Sequence, residues 1–147
     1  MSTIVQIFSN RILLCAIFGW FSAQVIKFII CLIVNRKIDL TKFFASGGMP
    51  SSHSSFVCAL AASVAKYEGV ESPFFAVAVV LACVVMYDAS GVRRASGEHA
   101  KVLNRLVQNI SDMDQVGMDK DLKELIGHTP LEVIAGACLG VFIVLLF

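Results

Sequence analysis

The residues that could do chemistry gather in three places along the chain. The first is Ser46-Gly47-Gly48-Met49-Pro50-Ser51-Ser52-His53-Ser54-Ser55, a polar stretch between two apolar runs. Its glycines open backbone angles closed to other residues, Pro50 suits a loop or a first helical turn, and the serines are good helix caps. No Gly or Pro follows from His53 to Tyr67, so a helix begins here. Hydroxyls, unpaired backbone N–H groups and an imidazole at a helix N-terminus suit an anion, most naturally phosphate. A serine-rich cap beside a surface histidine accounts for the same residues without a ligand. The second place is Asp88-Ala-Ser-Gly-Val-Arg93-Arg94-Ala-Ser-Gly-Glu98-His99, with adjacent arginines after an apolar run. The third is His128-Thr129-Pro130-Leu131-Glu132, with an imidazole and a carboxylate one helical turn apart. Lys27 adds a cation inside an apolar run, on a stripe with Gln24, Cys31 and Asn35. Such a lysine faces a protein interior or a watery cavity, or else snorkels to the membrane surface.

The elements that must hold these groups read as membrane helices. The hydrophobic fraction is 57%, mean hydropathy is +0.79 and charged residues make up 16% of 147 positions. Soluble domains are about 45–50% apolar. The fold class is therefore all-α: a polytopic membrane helix bundle in one domain, 1–147, with about four transmembrane spans and an amphipathic surface helix. The first span runs from Arg11 to Val34, capped by Ser9 or Asn10, and residues 2–8 are an apolar lead at the interface. It is long enough to cross a bilayer core of about 30 Å, and too long for a cleavable signal peptide. The second runs to Tyr67, and the third opens at Pro73 and ends at Met86-Tyr87-Asp88. The last runs from Leu131 to Phe147, with Thr129 as cap and Pro130 at its first position. Gly136 and Gly140 give it a close-packing edge. Val102, Leu103, Leu106, Val107 and Ile110 form the apolar face of the amphipathic helix. A basic loop over 35–42, a charged loop over 111–123 and a short helix over 122–126 complete the reading. The five cysteines form no CxxC pair and read as buried thiols.

With four spans, the loop 35–53, the segment 88–128 and the polar end of the first span share one side of the membrane. His53, Arg93, Arg94, His128, Glu132 and Lys27 can then converge there.

Pro50-Ser51-Ser52-His53-Ser54 and the later His128-x-x-x-Glu132-Val-Ile-Ala-Gly-Ala resemble the type 2 phosphatidic acid phosphatase superfamily, which includes the vanadium haloperoxidases. Tyr87-Asp88-Ala-Ser-Gly-Val-Arg93-Arg94 with Leu125-Ile-Gly-His128-Thr-Pro is similar to its small divergent membrane branch. The likeness spans about Gln24 to Gly140. The superfamily pattern is K-x6-R-P, then P-S-G-H, then S-R-x5-H-x3-D, and its members use a histidine nucleophile without metal. The resemblance implies that His128 attacks phosphorus, that Glu132 stands for the family aspartate and orients it, and that His53 protonates the leaving alcohol. It implies that Lys27, Ser51, Ser52 and Arg93 or Arg94 hold the phosphate oxygens. The chain departs from the pattern in three ways. Ser52 replaces glycine; Asn35-Arg36 is the nearest stand-in for Arg-Pro; the third motif is split between Arg93-Arg94 and His128. Arg93-x5-His99 keeps the unsplit spacing, but Leu103 then occupies the carboxylate position, so His128 is preferred over His99 as nucleophile.

The function expected is a lipid-phosphate phosphatase with no cofactor, acting on a phosphatidylglycerophosphate-like or prenyl phosphate lipid. Its partners are that lipid and the bilayer, not nucleic acid, and the reading leaves room for a homo-oligomer. A non-enzymatic protein that binds or moves an anionic lipid is the alternative. A metal site of His53, His128, Asp88 and Glu132 is a third reading, and it lacks a local ligand pair such as H-x-x-x-H. Nine of the twelve basic residues lie on the motif side. Lysine and arginine excess marks cytoplasmic loops, which predicts a plasma-membrane protein with a cytoplasmic site and both termini outside.

Overall fold

The computed structural model describes residues 3–35, 48–114 and 127–147. The expected basic loop beyond Asn35, the charged loop beyond Asp114, the short helix over 122–126, and Ser46 and Gly47 of the polar stretch lie outside these. Among the described residues there are six helices: α1 (Thr3–Ser9), α2 (Arg11–Asn35), α3 (Ser52–Glu68), α4 (Pro73–Ser90), α5 (Val92–Asp114) and α6 (Pro130–Leu146). The all-α expectation holds.

Local chemistry sets the boundaries. Asn10 rather than Ser9 caps α2, its Oδ1 accepting from the Leu13 amide at 3.0 Å. Ser9 instead donates to the Val5 carbonyl. Ser51 caps α3, so Pro50 stands just outside the helix, and Ser72 caps α4 with Pro73 in the first turn. Gly91 ends α4, its amide reaching back to the Tyr87 carbonyl at 2.8 Å. The chain then re-enters helix at Val92, so both arginines open α5. The loop expected from Ser111 begins later, because α5 continues to Asp114. No Pro and no Gly but Gly97 interrupts that run.

α3 is the hub, packed against α2, α4 and α6, while α2 also meets α6. Small residues allow this closeness. Gly136 of α6 lies against the Ser51 carbonyl and Gly140 against the Ser55 carbonyl, with no room for a Cβ at either. Ser55 donates to the Gly19 carbonyl at 2.7 Å, and Ser63 lies 3.4 Å from the Ile12 carbonyl, tying α3 to α2. Cys15, Ala59 and Val144 form the core from three helices.

The outer faces are apolar: Phe18, Phe21, Val77, Val84, Ile134 and Phe142 are all exposed. Two stretches are long and apolar enough to cross a membrane, Arg11–Val34 and Pro73–Val107, the second running through the Gly91 break. α6 is a shorter apolar helix of 17 residues, and α3 has the same length. α5 is amphipathic, with Val102, Leu103 and Leu106 exposed and its buried stripe formed by Gly97, Ala100 and Asn104.

Candidate active site

The start of α6 builds the centre. Thr129-Pro-Leu-Glu132 is a capping box. The Glu132 amide donates to Thr129 Oγ1 at 3.3 Å, and the Thr129 amide donates to Glu132 Oε2 at 2.9 Å. The reciprocal bonds satisfy N–H groups that a helix start leaves unpaired. The same Oε2 lies 3.1 Å from His128 Nδ1. A carboxylate can only accept, so the proton of this bond sits on Nδ1 and the lone pair on Nε2. His128 is 2% exposed, and among the described residues its Nε2 has no hydrogen-bond partner.

The backbone places this pair against the other motifs. The His128 amide donates to the Ala89 carbonyl at 2.9 Å, at the end of α4. The Ser51 amide donates to the Glu132 carbonyl at 3.0 Å. The polar stretch, the end of α4 and the start of α6 therefore meet at one point. The rings of His53 and His128 lie 6.4 Å apart between centroids, with His128 buried and His53 exposed. Gly48, at φ +97°, adopts an angle that side chains disfavour, and it lies against the stem of Lys27. Lys27 is buried.

Electrostatics join the remaining groups. Burial holds the His128 imidazole below its ordinary value of 6.5, against the opposing pull of the Glu132 hydrogen bond and charge. The positive charges of Lys27 and Arg93 also bear on it, in the same direction as burial. The charges of Arg93, Lys27 and Asp88 reach His53. Arg93 Nε donates to Asp88 Oδ2 at 2.6 Å, in a pair open to solvent. The charge of Arg93, from the first half of the split third motif, thus reaches His128 in the second half.

The two arginines differ. Arg94 is exposed, its charge acts on Glu98, and its backbone abuts Gly127. His99 is exposed on α5, and among the described residues it makes no hydrogen bond, ion pair or ring contact. Ser51 and Ser52 are buried at the start of α3. The Ser51 Oγ accepts from the amide and hydroxyl of Ser54, which leaves its own O–H as a donor. Among the described residues, no three His, Cys, Asp or Glu side chains come together as a metal-ligand set. Two features escaped the reading of the sequence. The capping box was legible as T-x-x-E, whereas nothing local in the sequence points to the Ala89 carbonyl that holds His128.

Residues 8–143 match a family described as the divergent PAP2 family, PAP2 being the type 2 phosphatidic acid phosphatases. The chain is also 40% identical to the uncharacterized membrane protein YuiD of Bacillus subtilis (strain 168), over 96% of each chain. No solved structure matches it.

Proposed function

This membrane protein belongs to the divergent PAP2 family, and from that premise we propose that it is a metal-independent lipid-phosphate phosphatase with His128 as nucleophile. The observation that carries the reading is the pairing of buried His128 with half-buried Glu132, the His128 Nε2 lone pair unpartnered among the described residues and the His53 ring 6.4 Å from the His128 ring. A neutral imidazole held in one tautomer by a carboxylate is an activated nucleophile.

In the proposed reaction His128 Nε2 attacks phosphorus as the P–O bond to the lipid breaks, and His53 gives its proton to the departing alkoxide. Glu132 keeps the Nδ1 proton in place and balances the charge of the phosphohistidine. Water then attacks phosphorus, His53 takes its proton, the P–N bond breaks and inorganic phosphate leaves. Lys27, Arg93 and the first turn of α3, with Ser51 and Ser52, hold the phosphoryl oxygens as charge builds. Arg93 is preferred to Arg94, because its charge reaches both histidines.

α2, α3, α4 and α6 are the four spans of this proposal, with α5 along the surface. The motif side is cytoplasmic, and the substrate is a phosphomonoester lipid made on the inner leaflet, such as a phosphatidylglycerophosphate-like or prenyl phosphate. Purified protein in detergent, offered a panel of lipid phosphates, should release phosphate with chelator present and be inhibited by vanadate. Binding of lipid phosphate without turnover would assign the pocket to non-enzymatic anion binding instead. Labelling Glu98→Cys in a cysteine-free background tests the orientation. A membrane-impermeant thiol reagent should react only after lysis, and labelling of intact cells would reverse the topology.

A further inference from the structure

Two buried side-chain atoms among the described residues lack a hydrogen-bond partner: His128 Nε2 and Gln24 Oε1. The first is the lone pair of the proposed nucleophile. The second has no part in the proposed reaction. Gln24 is 5% exposed, on the buried stripe of α2 formed by Gly19, Ala23, Gln24 and Lys27. Ser55 is bonded to Gly19 at one end of that stripe, and Gly48 lies on the Lys27 stem at the other. The turn carrying Gln24 therefore passes the start of α3, where Ser51 meets Glu132 and Gly136 on its other side. Helical side chains lean toward the N-terminus, so the Lys27 stem leans toward this same turn.

We propose that Gln24 is a phosphoryl-binding residue whose amide oxygen accepts the proton of a P–OH group, selecting protonated phosphomonoesters over ligands of the same shape that carry no proton. This rests on reading the site as a phosphoryl pocket. The chemistry is that of a missing donor. Lysine and arginine offer only protons, and they attract any tetrahedral dianion. A buried acceptor is satisfied only by a ligand that brings a proton of its own, and it is left unpaired by one that does not. A monoester phosphate can carry that proton, whereas a diester or a sulfate has none at mildly acidic pH. Asp88 and Glu132 are the other acceptors nearby, the first held by Arg93 and the second by His128 and the Thr129 amide. Among the described residues Gln24 Oε1 and His128 Nε2 are the buried acceptors that no protein donor occupies, and the second is committed to phosphorus in the proposed reaction.

The test is binding rather than turnover. Inorganic phosphate and sulfate are titrated against full-length protein in detergent at mildly acidic pH, read by thermal stabilisation and by competition with vanadate. The parent should prefer phosphate. Gln24→Leu should lower the phosphate-to-sulfate ratio by roughly 10- to 100-fold, the effect of one buried unpaired polar group. Gln24→Glu, which keeps an acceptor, should retain the preference. Should Gln24→Leu fail to fold, Gln24→Met supplies the same comparison with an unbranched side chain. Equal affinity of the parent for the two anions, or an unchanged ratio in the leucine or methionine variant, overturns the proposal. Lipid-phosphate turnover by a parent with no phosphate preference would leave the phosphatase reading standing and remove the role of Gln24. Selective anion binding without turnover would do the reverse.

Discussion

The two ends of α6 treat polar groups in opposite ways. At the C-terminal end Lys66 reaches across from α3 and donates to the Val144 carbonyl at 3.1 Å, a cation at the negative end of a helix dipole. The same ammonium lies 5.9 Å from the Tyr67 ring centroid, and Ser63 nearby donates to the Leu60 carbonyl at 2.9 Å. A shallow hollow there is lined by Asn10, Arg11, Tyr67 and Glu68. Polar chemistry at that end stabilises helix ends. At the N-terminal end the capping box is equally complete, yet His128 Nε2 and Gln24 Oε1 stay unpaired in the interior. A buried unpaired polar atom costs about 1–3 kcal/mol. One bundle contains both a fully matched end and an end with groups held ready, and the contrast supports a ligand at the second.

That contrast can be broken at its centre. His128→Ala should abolish turnover and the trapping of an acid-labile phosphoenzyme, and normal activity in this variant would remove the nucleophile assignment. Glu132→Gln keeps an acceptor for the Thr129 amide but loses the carboxylate charge. The protein should stay folded while kcat falls by roughly 10³–10⁴, as when an orienting carboxylate in a triad becomes an amide. Unfolding of Glu132→Gln would instead make this residue a stability element alone. His53→Ala should slow release of alcohol substrates by about 10²–10⁴, with less effect on an activated phenyl phosphate whose leaving group needs no proton. Arg93→Lys should weaken vanadate binding more than Arg94→Lys, because lysine cannot reproduce the guanidinium fork. At the matched end, Lys66→Met should lower stability by only about 0.3–1 kcal/mol and leave turnover unchanged.

The pH profile follows from the burial of His128. The folded imidazole resists protonation below its ordinary 6.5, so the free-base nucleophile persists there. The acid limb of kcat/KM that belongs to His128 should therefore lie below that value. The same displacement makes acid destabilising. The unfolded chain takes up the proton first, and the contribution of this group, present above 6.5, is lost as pH falls through the folded value. An acid limb above 6.5 would place a different group in control.

Helix positions were legible because their signals are local. Thr129 and Pro130 mark the start of α6, Pro73 marks the start of α4, and the polar stretch marks α3, each within a residue or two of the observed boundary. The meeting of the motifs was expected from the four-span reading, in which alternate helices return their ends to one side. Side-chain duties were not legible. Gln24 read as one member of a polar stripe, and only the packing of α2 on α3 distinguishes its buried amide from a solvated one. Arg93 and Arg94 are equivalent as text, and a turn of helix after Gly91 gives them different neighbours. The end of α5 was placed too early, because polar residues from Ser111 onward suggest a loop without forbidding a helix.

One oxygen of Glu132 serves the helix cap and the imidazole together. That sharing bears on how this position can change over generations. An aspartate is shorter by one methylene, so it would have to shift to keep both the Thr129 amide and the His128 ring. A neutral residue that restores the cap abandons the ring. Random libraries at residue 132 should accordingly return few functional sequences, and second-site revertants should cluster at 128–130, where the contacts of that oxygen are set. Libraries at the exposed His53 should lose activity while keeping folded protein across many substitutions. The mutational tolerance of the two positions would then differ even though the reaction needs both.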